Sequence, residues 1–262
     1  MKAVRGSGRR PWRKGLLGLI PGVTEHAIAL LDFARVVLVG CSLTAVASGA
    51  LAQQPGRTLR VIAANAVKDG LQQLAAHYQQ QSGQRVEIIW SGTESAERRV
   101  GAGERFDAVL IGSDAIDRLV TAGHLTVEGK VAVARTGVAV AVRSGYPRPA
   151  IDTADAVRSA VLAAPRVAYS AGPSGVYVHT LLSRLGVGEQ VASKLTRPSS
   201  GAEVAQLVAR GEVDLAFAQV SEFIGVAGLQ NLGPLPESLQ NYTTYTAALP
   251  RDGAHPQTAP FL

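Results

Sequence analysis

Residues 59–95 read LRVIAANAVKDGLQQLAAHYQQQSGQRVEIIWSGTES, and the periodicity inside this stretch decides the fold class. Residues 59–63 form a short apolar run with a β-branched pair, the pattern of a strand. Leu71, Leu74, Ala75 and Tyr78 then fall at i, i+3, i+4 and i+7, which predicts an amphipathic helix ended by Gly83. Residues 85–90 return to alternation, with Val86, Ile88 and Trp90 on one face. Strand, helix and strand in this order make a βα unit.

The pattern repeats downstream. A short helix is expected over 95–102, a third strand over 106–111, and a helix capped by Asp114 that ends near Gly123. Two separate apolar segments follow, 131–134 and 138–142. A helix capped by Asp152 or Thr153 runs to about Ala164, where Pro165 breaks it, then come a strand at 166–169 and a helix over 176–185. A helix over 201–210 with Val204, Leu207 and Val208 as its buried stripe leads into a strand at 214–218. Residues 232–236, Leu-Gly-Pro-Leu-Pro, read as a rigid connecting loop. Repeated βα units argue for an α/β fold of mostly parallel sheets with helices on both faces.

The 262 residues carry a formal charge of +6. Seven cations and two anions lie in residues 1–52, leaving 19 cations and 18 anions after them, a net of +1. So balanced a domain has no electrostatic footprint for nucleic acid. The leading segment is basic, turns apolar from Val36 to Ala47, and reaches Ala50-Leu51-Ala52, small residues at −3 and −1 before Gln53. This predicts a signal peptide over 1–52 and a periplasmic domain. Leu38-Val39-Gly40-Cys41 offers a second reading, a lipobox with a lipid anchor at Cys41; Arg9-Arg10 offers a third, a twin-arginine signal. The basic region is long enough that a start codon downstream of Met1 is a further possibility. Cys41 is the single cysteine, so the domain after Ala52 has no disulfide and no thiolate chemistry.

Each predicted strand runs into a short polar or glycine-containing loop that opens a helix: 64–66, 91–95, 112–114, 170–175, 199–201 and 219–222. None contains Lys, Arg or His. Ligands of open α/β sheets bind beyond the carboxyl ends of strands. The first turn of a helix there offers free N–H groups and partial positive charge. Several such turns around one cleft make an anion site from neutral dipoles, although Ser, Thr, Asn and Asp are also ordinary capping residues. Other chemistry finds little support. The histidines after residue 52 are scattered and lack metal-ligand spacing. Gly172-Pro173-Ser174-Gly175 has its second glycine one residue too early for a hydrolase nucleophile turn.

In their order and spacing, Val61-Ile62-Ala63-Ala64-Asn65-Ala66, the SGTES loop at 91–95, FDAVLIGSD at 106–114, AGPSGVY at 171–177 and Gly211-Glu212-Val213-Asp214 resemble the periplasmic molybdate-binding proteins of ABC importers. The resemblance covers roughly residues 58–250. It implies a two-lobed type II periplasmic-binding fold with the ligand cleft between lobes. One lobe would be 58–136 with 237–262, the other 137–236. It implies a monomeric protein that binds a small oxyanion, without a cofactor and without catalysis. An ABC permease would be its partner, and contact with the membrane would be through that permease or a lipid anchor. Carried over position by position, the ligand residues would be Asn65, Thr93 or Ser95, Ser174 with Gly175, Ser200 beside Gly201, and Gln219. Asn65 and Gln219 depart from the family's serine and tyrosine. Glu94 is a further departure, since a carboxylate facing an oxyanion repels it. Either Glu94 points to solvent or the ligand is not molybdate. A protein of this fold for another small ligand, such as an organic acid, and a secreted α/β hydrolase or transferase are the alternatives. The family's closing helix would begin where this chain ends, at Ala259-Pro260-Phe261-Leu262.

Overall fold

A computed structural model describes residues 57–253 and 255–262. The expected signal peptide, its cleavage site at Ala52 and the lipobox Cys41 lie outside the described residues. Among the described residues no helix is long and apolar enough to cross a membrane.

Among the described residues nine strands form one sheet of two halves, eight of them along a single path and the ninth paired beside it. The first contains β1 (Leu59–Ala64), β2 (Val86–Ser91), β3 (Ala108–Gly112), β9 (Tyr242–Ala248) and the start of β4 (Val131–Arg143). β1 lies parallel to β2 and β3, while β9 is antiparallel to β3 and to β4. The second half-sheet contains the end of β4 with β5 (Val167–Tyr169), β6 (Leu195–Thr196), β7 (Leu215–Gln219) and β8 (Leu229–Pro234). There β5 runs parallel to β6 and β7, and β4 is antiparallel to β7 and β8.

β4 carries the change from one half-sheet to the other. Residues 131–137 pair with β9, and residues 138–143 pair with β7 and β8. The two apolar segments of the sequence are therefore one 13-residue strand, about 40 Å long at ordinary strand rise. Arg135-Thr136-Gly137 joins them because an extended backbone needs no apolar side chains at the crossing. Gln240 fills the space left by Gly137: its Oε1 accepts from Val138 N–H at 2.7 Å, and its Nε2 donates to Val138 O at 3.1 Å and Leu235 O at 3.2 Å.

The helices that matter for the crevice follow strand ends: α1 (Lys68–Ser82) after β1, α2 (Thr93–Gly101) after β2, α3 (Ser113–Thr121) after β3, α4 (Ala154–Ala163) before β5, and α5 (Pro173–Arg184) after it. A short α6 (Gly188–Val191) precedes β6; α7 (Gly201–Ala209), α8 (Val220–Phe223) and α9 (Thr258–Phe261) complete the chain. Gly83, at φ 70°, ends α1 in the left-handed conformation. Thr153 caps α4 by accepting from Ala156 N–H at 3.1 Å.

Four expectations need correction. Helix α2 starts at Thr93, and α3 at Ser113 with Gly112 at its cap and Asp114 inside its first turn. The proline-containing stretch read as a loop belongs partly to β8, at the sheet edge, where Pro234 costs no central ladder bond. Leu74 does not join the buried stripe of α1; it is 65% exposed, while Leu71 and Ala75 are buried.

Each half has its own core. Val61, Ile62, Val109, Ile111, Ile116 and Leu119 pack in the first; Val140, Val161, Leu181, Leu215 and Phe217 pack in the second. Each fully buried aliphatic side chain contributes about 1.5–3 kcal/mol. Buried Asp214 ties β7 to its neighbours, accepting from Arg166 Nε at 2.9 Å and Arg143 Nε at 2.8 Å. These guanidinium groups, Arg166 foremost, hold its carboxyl below the usual range against the opposing effect of burial.

Candidate anion-binding crevice

The carboxyl ends of β1, β2, β5 and β7 face one another across the gap between the half-sheets. Asn65 follows β1, Ser91 ends β2, and Gly92 and Thr93 follow it. Ser170 and Ser174 follow β5, Ser200 and Gly201 begin α7, and Glu222 follows β7. Together with Tyr245 of β9 they line a single crevice. It encloses about 10 Å³, room for about one water molecule.

The two sides are in contact. A methyl group on Gly92 would stand 2.3 Å from the Ser199 carbonyl oxygen, and one on Gly112 would stand 3.0 Å from the Pro173 ring. Two wider hollows flank the crevice. One, of about 660 Å³, shares Asn65, Ala66 and Glu222 with it and is edged by Leu74, Val133 and Ile224. The other, of about 450 Å³, shares Thr93, Gly172 and Pro173.

Three helices of at least nine residues point their first turns at this place. In α2 the first helical bond is Ala96 N–H to Gly92 O, so the N–H groups of Thr93, Glu94 and Ser95 precede the ladder. In α5 the first is Val176 N–H to Gly172 O, ahead of which Ser174 and Gly175 keep N–H groups and Pro173 has none. In α7 Val204 N–H bonds Ser200 O, and the Ser200 hydroxyl takes the Glu203 N–H at 3.2 Å.

Of the residues expected at the site, Asn65, Thr93, Ser174 and Ser200 line the crevice. Asn65 donates to Ser91 O at 3.1 Å, and Thr93 Oγ1 accepts from Gly112 N–H at 3.3 Å. Ser95, Gly175 and Gln219 are not among the lining residues. Gly175 sits so close to β5 that a Cβ there would stand 1.6 Å from Ser170 O, which makes glycine obligatory and seats the start of α5 on the strand end. Gln219, 1% exposed, reaches the β4 crossing instead. In the orientation that satisfies both ends of its amide, nitrogen donates to Gly137 O at 3.1 Å and Thr136 O at 3.2 Å, and oxygen accepts from the Thr243 hydroxyl at 2.8 Å.

Glu94 points outward. Its side chain is 48% exposed, and it pairs with Arg98 at 3.0 Å one helical turn on. The carboxylate in the crevice is Glu222, which sequence reasoning placed only at the end of a polar loop. Its Oε2 accepts from Gln219 N–H at 3.1 Å, and its carboxyl group lies against the bare Cα of Gly201. The residue as a whole keeps some exposure, but the carboxyl group is enclosed by protein. That burial pushes its pKa up to about 7, against the opposing pull of the Gln219 and Ala202 N–H groups. Buried Tyr245 faces it; burial, and then the Glu222 charge, raise its phenol above the ordinary value.

With no Lys, Arg or His in the lining, the crevice can hold an anion through backbone and hydroxyl dipoles, with Glu222 as its one carboxyl group. Residues 59–260 match the family described as bacterial extracellular solute-binding protein. The chain belongs to that family. This solute-binding protein is 31% identical over 215 residues to an aconitate isomerase of a Pseudomonas species, a match covering 80% of this chain and 82% of the relative. Its fold resembles the periplasmic molybdate-binding protein of Azotobacter vinelandii at a TM-score of 0.65 and 18% identity, over 77% of this chain and 89% of that one. It also resembles a tungstate-binding protein from Desulfovibrio alaskensis at a TM-score of 0.52 and 14% identity, over 78% and 87% of the two chains. The architecture is accordingly the two-part α/β fold of type II periplasmic binding proteins.

Proposed function

We propose that this solute-binding protein captures a small oxyanion, with molybdate and tungstate as the first candidates, between two lobes that meet along β4 and β9. The lobes are residues 58–136 with 237–262, and residues 137–236. The protein works as a periplasmic monomer that delivers its guest to an ABC permease, and residues 1–52 serve as its export signal. One observation carries the reading: the first turns of α2, α5 and α7, with the Asn65 amide, converge on a crevice lined by no cationic side chain. Neutral dipoles suit a fully ionised guest because they supply donors without a proton to exchange. Asn65, Thr93, Ser174 and Ser200 are the proposed ligand contacts. Closure follows when the guest prefers the shut arrangement.

Thermal-shift measurements with molybdate, tungstate, sulfate, phosphate and carboxylates test it. A stabilisation that grows with the logarithm of molybdate or tungstate concentration is expected. No shift with any of these anions would overturn anion capture altogether.

A second reading has its own support. The crevice contains a carboxyl group, and the Pseudomonas relative is an isomerase of aconitate, an unsaturated tricarboxylate. Here the guest is a small polycarboxylate, and the protein converts it as well as binding it. Stabilisation by cis- or trans-aconitate, without stabilisation by molybdate, separates this reading from the first.

A further inference from the structure

We propose that Glu222 is the proton-transfer group of the crevice, taking a proton from a carbon of a bound unsaturated polycarboxylate and returning it to another carbon of the same molecule. The proposal rests on the polycarboxylate reading above and assigns that chemistry to one residue.

Position comes first. Glu222 lines the crevice together with Thr93, Ser174 and Ser200, and it also lines the 660 Å³ hollow. A guest with one carboxylate among the helix N-termini and its carbon body toward that hollow passes this side chain. The carboxyl group is also fixed. Oε2 accepts from Gln219 N–H, and the Ala202 N–H also bears on the carboxyl group, so two backbone donors hold it in place beside the hollow. The missing Cβ of Gly201 provides the space in which the group sits.

Capping alone explains less. A carboxylate that only caps a helix is stabilised in its charged form. Glu222 is shifted the other way, because enclosure outweighs its two N–H partners. An ordinary carboxylate is a weak base for a carbon acid; one poised near neutrality is stronger while still ionised in part of the population.

The step balances within the substrate. In a polycarboxylate with a CH₂ beside a carbon–carbon double bond, the Glu222 carboxylate removes one CH₂ proton. The C–H electron pair spreads over the allylic carbons and into a carboxylate. Free N–H groups of α2 and α5 face the negative charge that develops there. The Glu222 O–H then gives its proton to the far allylic carbon. One C–H bond breaks and one forms, the double bond moves, and the carboxylate is regenerated. No oxidant, reductant or cofactor takes part.

The ionisable groups that share a cavity with Glu222 are the Tyr245 hydroxyl of β9, Lys68 and Asp69 of α1, and Arg135 of β4. With the Glu222 carboxyl titrating about 7, turnover should rise about tenfold from pH 6 to pH 8 as the base ionises.

The experiment uses the full chain with cis- and trans-aconitate in D₂O. Binding is followed by calorimetry; interconversion and the fate of the transferred proton are followed by NMR. Wild-type protein should bind and interconvert the two isomers. Glu222→Gln should bind while interconversion falls about 100-fold or more, within the usual range for loss of a general base. Glu222→Asp should keep part of the interconversion. Binding by the wild type without interconversion overturns this proposal and leaves the polycarboxylate reading standing, whereas absence of binding overturns both. Interconversion by Glu222→Gln within threefold of wild type overturns the proposal, as does complete replacement of the transferred proton by solvent deuterium. Should neither variant fold, the wild-type profile decides: a flat rate from pH 6 to pH 8 overturns the assignment.

Discussion

Glu222 occupies the space that a side chain on Gly201 would need: a Cβ there would stand 1.8 Å from Oε2 and 2.3 Å from the carboxyl carbon. The two residues belong to different helices, α7 and α8, and only glycine at the first allows the second to turn its carboxyl group inward. Backbone conformation does not demand that glycine; the neighbouring carboxylate does.

Gly201→Ala should therefore destabilise the protein through this contact, since alanine is otherwise the better helix residue. Adding Glu222→Ala should relieve much of the loss. A double-mutant cycle from urea denaturation should give a coupling of about 1–3 kcal/mol. A coupling near zero would mean that the two side chains do not compete for one space.

Gly92→Ala should act on closure. Its methyl group would meet the Ser199 carbonyl across the crevice. The replacement at a cap position costs about 1 kcal/mol of stability. The larger effect should be on binding, with at least tenfold weaker affinity for whichever anion the wild type takes. Calorimetry measures that loss, and small-angle scattering should find the liganded variant more open than the liganded wild type.

Stability should depend on pH through Glu222. Its folded pKa of about 7 lies above the ordinary glutamate value, so the folded state holds a proton that the unfolded chain releases. Below the ordinary value both states are protonated and nothing is lost. As pH rises through the window up to about 7, the folded state is progressively penalised, by at most about 3 kcal/mol. Glu222→Gln should remove this slope. Denaturation curves of both proteins at pH 5 and pH 8 check it, and equal slopes would refute the assignment.

Gln240→Ala should weaken the β4 crossing. The side chain answers both the N–H and the carbonyl of Val138 beside Gly137, so its loss leaves two backbone groups without these partners. A cost of about 1–3 kcal/mol is expected, measured by chemical denaturation.

Much of this architecture was legible in the amino-acid pattern. β1, α1 and β2 declared themselves through periodicity, and the polar loops at strand ends marked the place where Asn65, Thr93, Ser174 and Ser200 meet. What periodicity could not carry was pairing. The segments 131–134 and 138–142 look like two strands because residues 135–137 are not apolar, yet an extended chain passes through them. Pro234 disguised β8, since its tolerance at an edge depends on which strands lie beside it. The crevice carboxylate was equally hidden. Glu94 drew attention because it sits inside a serine-rich loop, but at the second position of α2 it turns outward to Arg98. Glu222 reaches the centre through the bare backbone of Gly201, 21 positions earlier in the sequence. Spacing alone gives no sign of that contact. Gln219 shows the same limit, because its amide is spent on Thr136, Gly137 and Thr243, residues far from it along the chain.

The passage of β4 from one half-sheet into the other restricts how the molecule could breathe. Because β4 and β9 remain laddered to each other up to Gly137 and Tyr242, they would flex as a two-ply ribbon. A ribbon bends readily across its flat face and resists bending in its own plane or shearing along its length. The gap above it could widen or narrow in one direction, and the donors on the two banks would return to the same register on every cycle.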